Sequence, residues 1–167
     1  CSHDTYNVER GYGYFMNDIT CISTDDMKNW TDHGEVFHAK DSKWGAKMTW
    51  APCVVHRNGK FYLYYGDANS GGIGVAVSDL PTGPYIDNHD RPVVGMDTPG
   101  VLLYDENNRC IKNKKGVPGA ISGSENWGMW CFDPCVFVDD DGQAYMYFGG
   151  AHPDNSDYQT KREYDGG

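Results

Sequence analysis

No stretch of this chain approaches the roughly 20 consecutive apolar residues that a membrane-crossing helix needs, so a helical membrane anchor within it is excluded. Positive charge is scarce as well: 14 Lys and Arg stand against 24 Asp and Glu, for a formal net charge of −10. Only Lys112, Lys114 and Lys115 come near to forming a basic patch. Such a chain repels phosphate backbones and anionic lipid surfaces, which argues against nucleic acid and membrane as partners. There is no C-x-x-C pair, and the six His are scattered without metal-ligand spacing. Cys131 and Cys135 would lie about 13 Å apart along an extended strand, too far for a disulfide. The six Cys are therefore expected as buried free thiols, which leans toward the cytoplasm or another reducing setting. No amphipathic-helix pattern is visible either, and the reading is all-β.

What the chain does have is a sequence that occurs twice. Trp50-Ala51-Pro52-Cys53-Val54, followed by Tyr62-Leu63-Tyr64-Tyr65-Gly66, returns as Phe132-Asp133-Pro134-Cys135-Val136, followed by Tyr145-Met146-Tyr147-Phe148-Gly149. Each copy predicts a hairpin, and the turns supply the residues one needs: Asn58-Gly59 in the first and Asp141-Gly142 in the second. Short β-branched and aromatic runs predict strands over Ile19–Ser23, Cys53–His56, Phe61–Tyr65, Ile73–Ser78, Val136–Val138 and Ala144–Phe148. Leu80 to Tyr85 is expected to turn toward an outer strand, and His152 to Gly167 to begin a loop. Repeated units of this kind are the mark of β-propeller blades, here about 1–42, 43–128 and 129–167, with an insertion near Val94 to Trp127. A ring needs at least about four blades. The chain is therefore expected to be part of a propeller, roughly two to two and a half blades of it, starting at the end of a strand.

Two motifs give way to plainer readings. Asp139-Asp140-Asp141-Gly142 resembles a calcium loop, but with Gly142 as the sixth position the first would be Phe137, so a polar hairpin turn fits better. Gly71-Gly72-Ile73-Gly74 leads into a strand, with no helix whose N-terminus could hold phosphates. The sharpest difference lies between the copies themselves: Asp133 stands where the sister strand has Ala51. The plain alternative is a carboxylate bonded to nearby backbone. On the innermost strand of a blade, however, Asp133 would be partly desolvated beside other channel groups, where chemistry is favoured. Trp50, Phe132, Trp127 and Trp130 accompany it, and aromatic faces beside a carboxylate suit sugars; blade packing is the plain alternative for each Trp.

In this order, several segments make the chain similar to glycoside hydrolase family 43, of the β-xylosidase and α-L-arabinofuranosidase type. They are Ser2-His3-Asp4, Asn17-Asp18 with Ser23-Thr24-Asp25-Asp26-Met27-Lys28-Asn29-Trp30, Trp50-Ala51-Pro52, Gly74 through Tyr85, and Phe132-Asp133-Pro134 through Tyr145. The resemblance implies a five-bladed propeller that hydrolyses glycosidic bonds of plant oligosaccharides or polysaccharides with inversion, using three carboxylates. Asp133 matches the one that orients the general acid and raises its pKa. The base and the acid have no match in this chain, so it should be inactive alone. Trp50 matches a substrate-pocket aromatic, with Phe132, His3 and Asp4 expected at the same pocket. The resemblance also implies a channel calcium in a complete domain, for which no ligand is identified in this chain, and no other cofactor. Two rival readings are a non-catalytic carbohydrate-binding propeller and a protein-interaction propeller, the latter without any recurring kelch or WD signature.

Overall fold

The computed structural model describes residues 2–5, 15–67, 72–95, 98 and 130–151. Within them lie three antiparallel sheets. The first joins β1 (Ser2–Thr5), β2 (Phe15–Ser23) and β3 (Thr31–His38). The second joins β4 (Trp50–Arg57), β5 (Lys60–Asp67) and β6 (Gly72–Ser78). The third is the pair β7 (Trp130–Val138) and β8 (Ala144–Ala151). Within each sheet every strand pairs with the next in sequence, the meander of a propeller blade. The repeated segments form two separate hairpins, as their shared pattern predicts.

Turn chemistry fixes both hairpins. Between β4 and β5, Asn58 and Gly59 both take positive φ (52° and 72°), the pair a two-residue type I′ turn demands. Between β7 and β8, the Asp139 carbonyl accepts from Gly142 N–H at 2.8 Å, and Asp139 N–H donates to the Gln143 carbonyl at 2.8 Å. β3 was not foreseen. Its first residues, Thr31-Asp32-His33-Gly34, are polar, and Gly34 (φ 70°) is fixed by its N–H donating to Asp32 Oδ1 at 2.8 Å. The β2–β3 register slips beside it, so the alternation that marks a strand is broken. Before β3, Asp26 Oδ1 accepts from the N–H groups of Lys28 and Asn29, each at 2.8 Å. Those bonds, that of Asn29 foremost, hold the Asp26 carboxyl well below the usual range. The Leu80–Tyr85 segment turns through a cis Gly83–Pro84 peptide and reaches β6 only as a bridge between Ile86 and Val77.

β5 is packed from both sides, which explains why nearly all of it is apolar. Leu63 and Tyr65 join Ile19, Val36, Phe37, Ala46, Ala76 and Tyr85 in the main core. On the opposite face, Tyr64 lies against a second cluster of Ile73, Val94 and Cys131. Tyr65 is fully buried, and its hydroxyl donates to Asp87 Oδ2 at 2.6 Å and accepts from Trp44 Nε1 at 3.1 Å. Ser42 Oγ closes the group, 3.1 Å from the Tyr65 hydroxyl and 3.3 Å from Asp87 Oδ2. Burial and the adjoining Asp87 carboxylate raise the Tyr65 pKa far above that of an ordinary phenol.

Among the described residues Cys21, Cys53, Cys131 and Cys135 are free thiols. Their burial differs from expectation. Only Cys131 is buried; Cys21 and Cys53 are intermediate and Cys135 is exposed, because the alternation of a strand turns Cys131 and Cys135 to different surroundings once a bulge intervenes. Cys1 and Cys110 lie outside the described residues, as do most of the expected insertion and the stretch from His152 to Gly167.

Candidate sugar site at the start of two sister strands

Each repeat opens on a bulge. Trp50 pairs with Gly66 and Cys53 with Tyr64, so Ala51 and Pro52 together face Tyr65 alone. In the second copy Phe132 pairs with Gly149 and Cys135 with Tyr147, leaving Asp133 and Pro134 opposite Phe148. The first bulged residue is left-handed in both: φ is 39° at Ala51 and 54° at Asp133. Proline follows in each case, at a position where a ladder donor is not required. Asp tolerates the left-handed region better than most L-residues, since its short side chain can bond locally. The bulge also takes Asp133 out of the strand's alternation, so that its side chain is exposed. Partial desolvation, expected from sequence, is therefore not what surrounds it among the described residues.

The two bulges are brought together by direct packing of β7 on β4 and β5. The Val136 N–H donates to Cys53 Sγ at 3.3 Å across the gap. At the bulge end, Gly66 touches the Phe132–Asp133 segment: a Cβ on Gly66 would stand 3.3 Å from both Cα and Cβ of Phe132 and 3.7 Å from Asp133 N. Trp50 and Phe132 are half-buried, and Asp133 is exposed. His3 and Asp4 lie on β1, which abuts β4, and the structure describes their backbone but not their side chains. Asp4 pairs with Met16, whose carbonyl accepts from Thr49 N–H at 2.8 Å, one residue before Trp50. Trp50, Phe132 and Asp133 are thus gathered at one end of adjacent strands, and the strand carrying His3 and Asp4 borders them.

Two residues at this end escaped sequence reading. Gly66 carried a signal, a glycine inside an aromatic strand, which marks close backbone approach. Asp67 carried none; it is 1% exposed, and its Oδ1 accepts from Met48 N–H at 3.1 Å. Among the described residues no three His, Cys, Asp or Glu side chains converge where a cation could sit. Also among the described residues, no helix is long and apolar enough to cross a membrane.

Comparison with known proteins places the chain in a family. The family model for glycosyl hydrolases family 43 matches residues 2–111. An arabinoxylan arabinofuranohydrolase of Paenibacillus polymyxa is 39% identical over 93% of this chain, and a xylosidase/arabinosidase 43A of Humicola insolens is 37% identical over 85% of it. The chain spans only 24% and 35% of the lengths of these two relatives. The solved structure of an α-L-arabinofuranosidase from Clostridium thermocellum is 53% identical, with a TM-score of 0.66 over 91% of this chain and 42% of that one. The three meandering sheets are accordingly part of a five-bladed β-propeller, and the chain belongs to glycosyl hydrolases family 43.

Proposed function

We propose that these blades form one wall of the sugar channel of an inverting glycoside hydrolase that removes α-L-arabinofuranosyl groups from plant polysaccharide. The observation that carries the reading is Asp133, held in a left-handed bulge beside Phe132 and across from the strand of Trp50, where the sister bulge bears only Ala51. The names of the relatives support arabinofuranoside as the substrate class. A β-xyloside is the second reading, supported by the Humicola insolens relative named for both sugars.

The chemistry follows from charge. Inversion needs one carboxylate to activate water and a protonated carboxyl to give its proton to the leaving oxygen. Neither role is assigned to a residue of this chain. Asp133 serves the second: an ionised carboxylate close to the acid opposes its ionisation and so keeps the proton available near neutral pH. Trp50 and Phe132 offer ring faces to the sugar's C–H surface, and its hydroxyls find acceptors in carboxylates.

The experiment is hydrolysis by the complete propeller, using 4-nitrophenyl α-L-arabinofuranoside, 4-nitrophenyl β-D-xyloside and arabinoxylan, with the anomer first released followed by NMR. Release of inverted arabinose supports the proposal. Binding of arabinoxylan without turnover of any of the three would overturn it in favour of a carbohydrate-binding propeller.

A further inference from the structure

We infer that the Gly66–Asp67 step at the end of β5 positions both halves of the proposed sugar site: Gly66 by admitting the Phe132–Asp133 segment, and Asp67 by holding the segment that leads into Trp50. The inference rests on the assignment of Asp133 and Trp50 to that site.

On one side the effect is steric. A Cβ at residue 66 would meet Phe132 at its Cα and Cβ, 3.3 Å from each. Those atoms belong to the strand, not to the far end of a side chain, so no rotamer of Phe132 makes room. The bulge of β7 itself has to move by a few tenths of an ångström, and Asp133, whose N would lie 3.7 Å from the added Cβ, moves with it. Gly66 is not among the glycines of positive φ, so alanine there is conformationally permitted and acts through displacement alone. Its repeat counterpart is different: a Cβ on Gly149 would meet the Phe132 Cε2 at 3.5 Å, carbonyl at 3.6 Å and Cδ2 at 3.8 Å, all ordinary contacts.

On the other side the tie is a hydrogen bond to a buried carboxylate. Asp67 is buried at 1% exposure, pairs in the sheet with Gly72, and accepts from Met48 N–H. Thr49, next along, is fully buried with its N–H on the Met16 carbonyl. Met48 and Thr49 are therefore tied to two different sheets immediately before Trp50, which pairs with Gly66. The second hairpin has Gly150 where the first has Asp67, so this side-chain tie belongs to the Trp50 blade.

The test uses the complete propeller and an aryl α-L-arabinofuranoside. Gly66→Ala should lower kcat about tenfold or more, since small displacements of a reacting constellation are costly, and should shift the pH profile while thermal unfolding stays cooperative. Gly149→Ala should change neither. Asp67→Ala should raise KM about tenfold with a smaller change in kcat, and Asp67→Asn, which keeps an oxygen for Met48 N–H, should restore KM. Gly66→Ala with unchanged kcat and pH profile, or Asp67→Ala with unchanged KM, would overturn the inference. A raised KM in folded Asp67→Asn overturns it too, and is measurable even where Asp67→Ala does not fold. An inactive parent protein overturns the functional reading and this inference with it; an active parent indifferent to Gly66→Ala overturns the inference alone.

Discussion

Ala51 and Asp133 occupy the same bulge in two sister strands, and both stand in left-handed backbone, at φ 39° and 54°. The relationship separates what the fold requires from what the proposed chemistry requires. Both blades need the bulge, because it interrupts the ladder where Pro52 and Pro134 cannot donate. Only one blade places an acid on it.

For a residue with a Cβ, left-handed backbone costs about 1–2 kcal/mol, and Ala51 has no polar side chain to offset it. Ala51→Gly should therefore stabilise the domain by about 0.5–1 kcal/mol once the added freedom of glycine in the unfolded chain is subtracted. Ala51→Val should destabilise it, since β-branching is least tolerated there. Urea midpoints of the two variants decide the point, and a lower midpoint for Ala51→Gly would show that the bulge is not strained.

Asp133→Asn is expected to leave unfolding unchanged and to lower kcat on an aryl α-L-arabinofuranoside by about 100-fold, the scale of a lost acid–base contribution. Asp139→Asn is the matched comparison. Asp139 Oδ1 accepts from Asp140 N–H at 2.8 Å in an exposed turn, and asparagine keeps that oxygen. Full activity in Asp133→Asn alongside its loss in Asp139→Asn would assign the chemistry to the turn instead.

The hairpins and the gathering of Trp50, Phe132 and Asp133 were legible because each rests on local pattern: the Tyr-x-Tyr strands, the Asn58-Gly59 turn, and an acid where the repeat has alanine. β3 was not, since Gly34 and its bulge break the alternation from which a strand is recognised. The left-handed conformation of Asp133 was also invisible, because Ala51 at the equivalent place argues against it on propensity. Nor could a tyrosine in a strand announce its partners: Tyr65 finds Trp44, Ser42 and Asp87 on segments distant in sequence, a matter of tertiary packing alone.

That buried group makes its own prediction. Tyr65→Phe keeps the ring, 4.9 Å from that of Phe37, but removes the hydroxyl that donates to Asp87 Oδ2 and accepts from Trp44 Nε1. Asp87 is 5% exposed and would lose a donor that water cannot readily replace. The expected loss is about 2 kcal/mol, read from urea unfolding, because a hydrogen bond to a buried charged group is removed while Asp87 keeps those from Ser42 Oγ and His89 N–H. A loss within experimental error would show that solvent reaches Asp87.

Stability at alkaline pH depends on Cys131. Burial beside Ile73 and Val94, with Tyr64 and Met146 packed against the cluster, pushes the Cys131 thiol up from its ordinary 9.0 to about 11. Because the folded state disfavours the thiolate, the unfolded chain begins to release this proton near pH 9 while the folded chain retains it to about 11. The stability it confers is thus complete below pH 9 and is lost progressively as pH rises through about 11. Tyr85, raised by burial from 10.0 to about 12, adds a similar loss that begins higher. Cys131→Ala deletes the first titration and leaves the second. Its stability should start lower near neutral pH, from the lost packing of sulfur, yet fall less steeply than that of the parent between pH 9 and about 11. Urea midpoints measured across that range provide the check, and parallel curves for the two proteins would show that Cys131 reaches solvent before the fold opens.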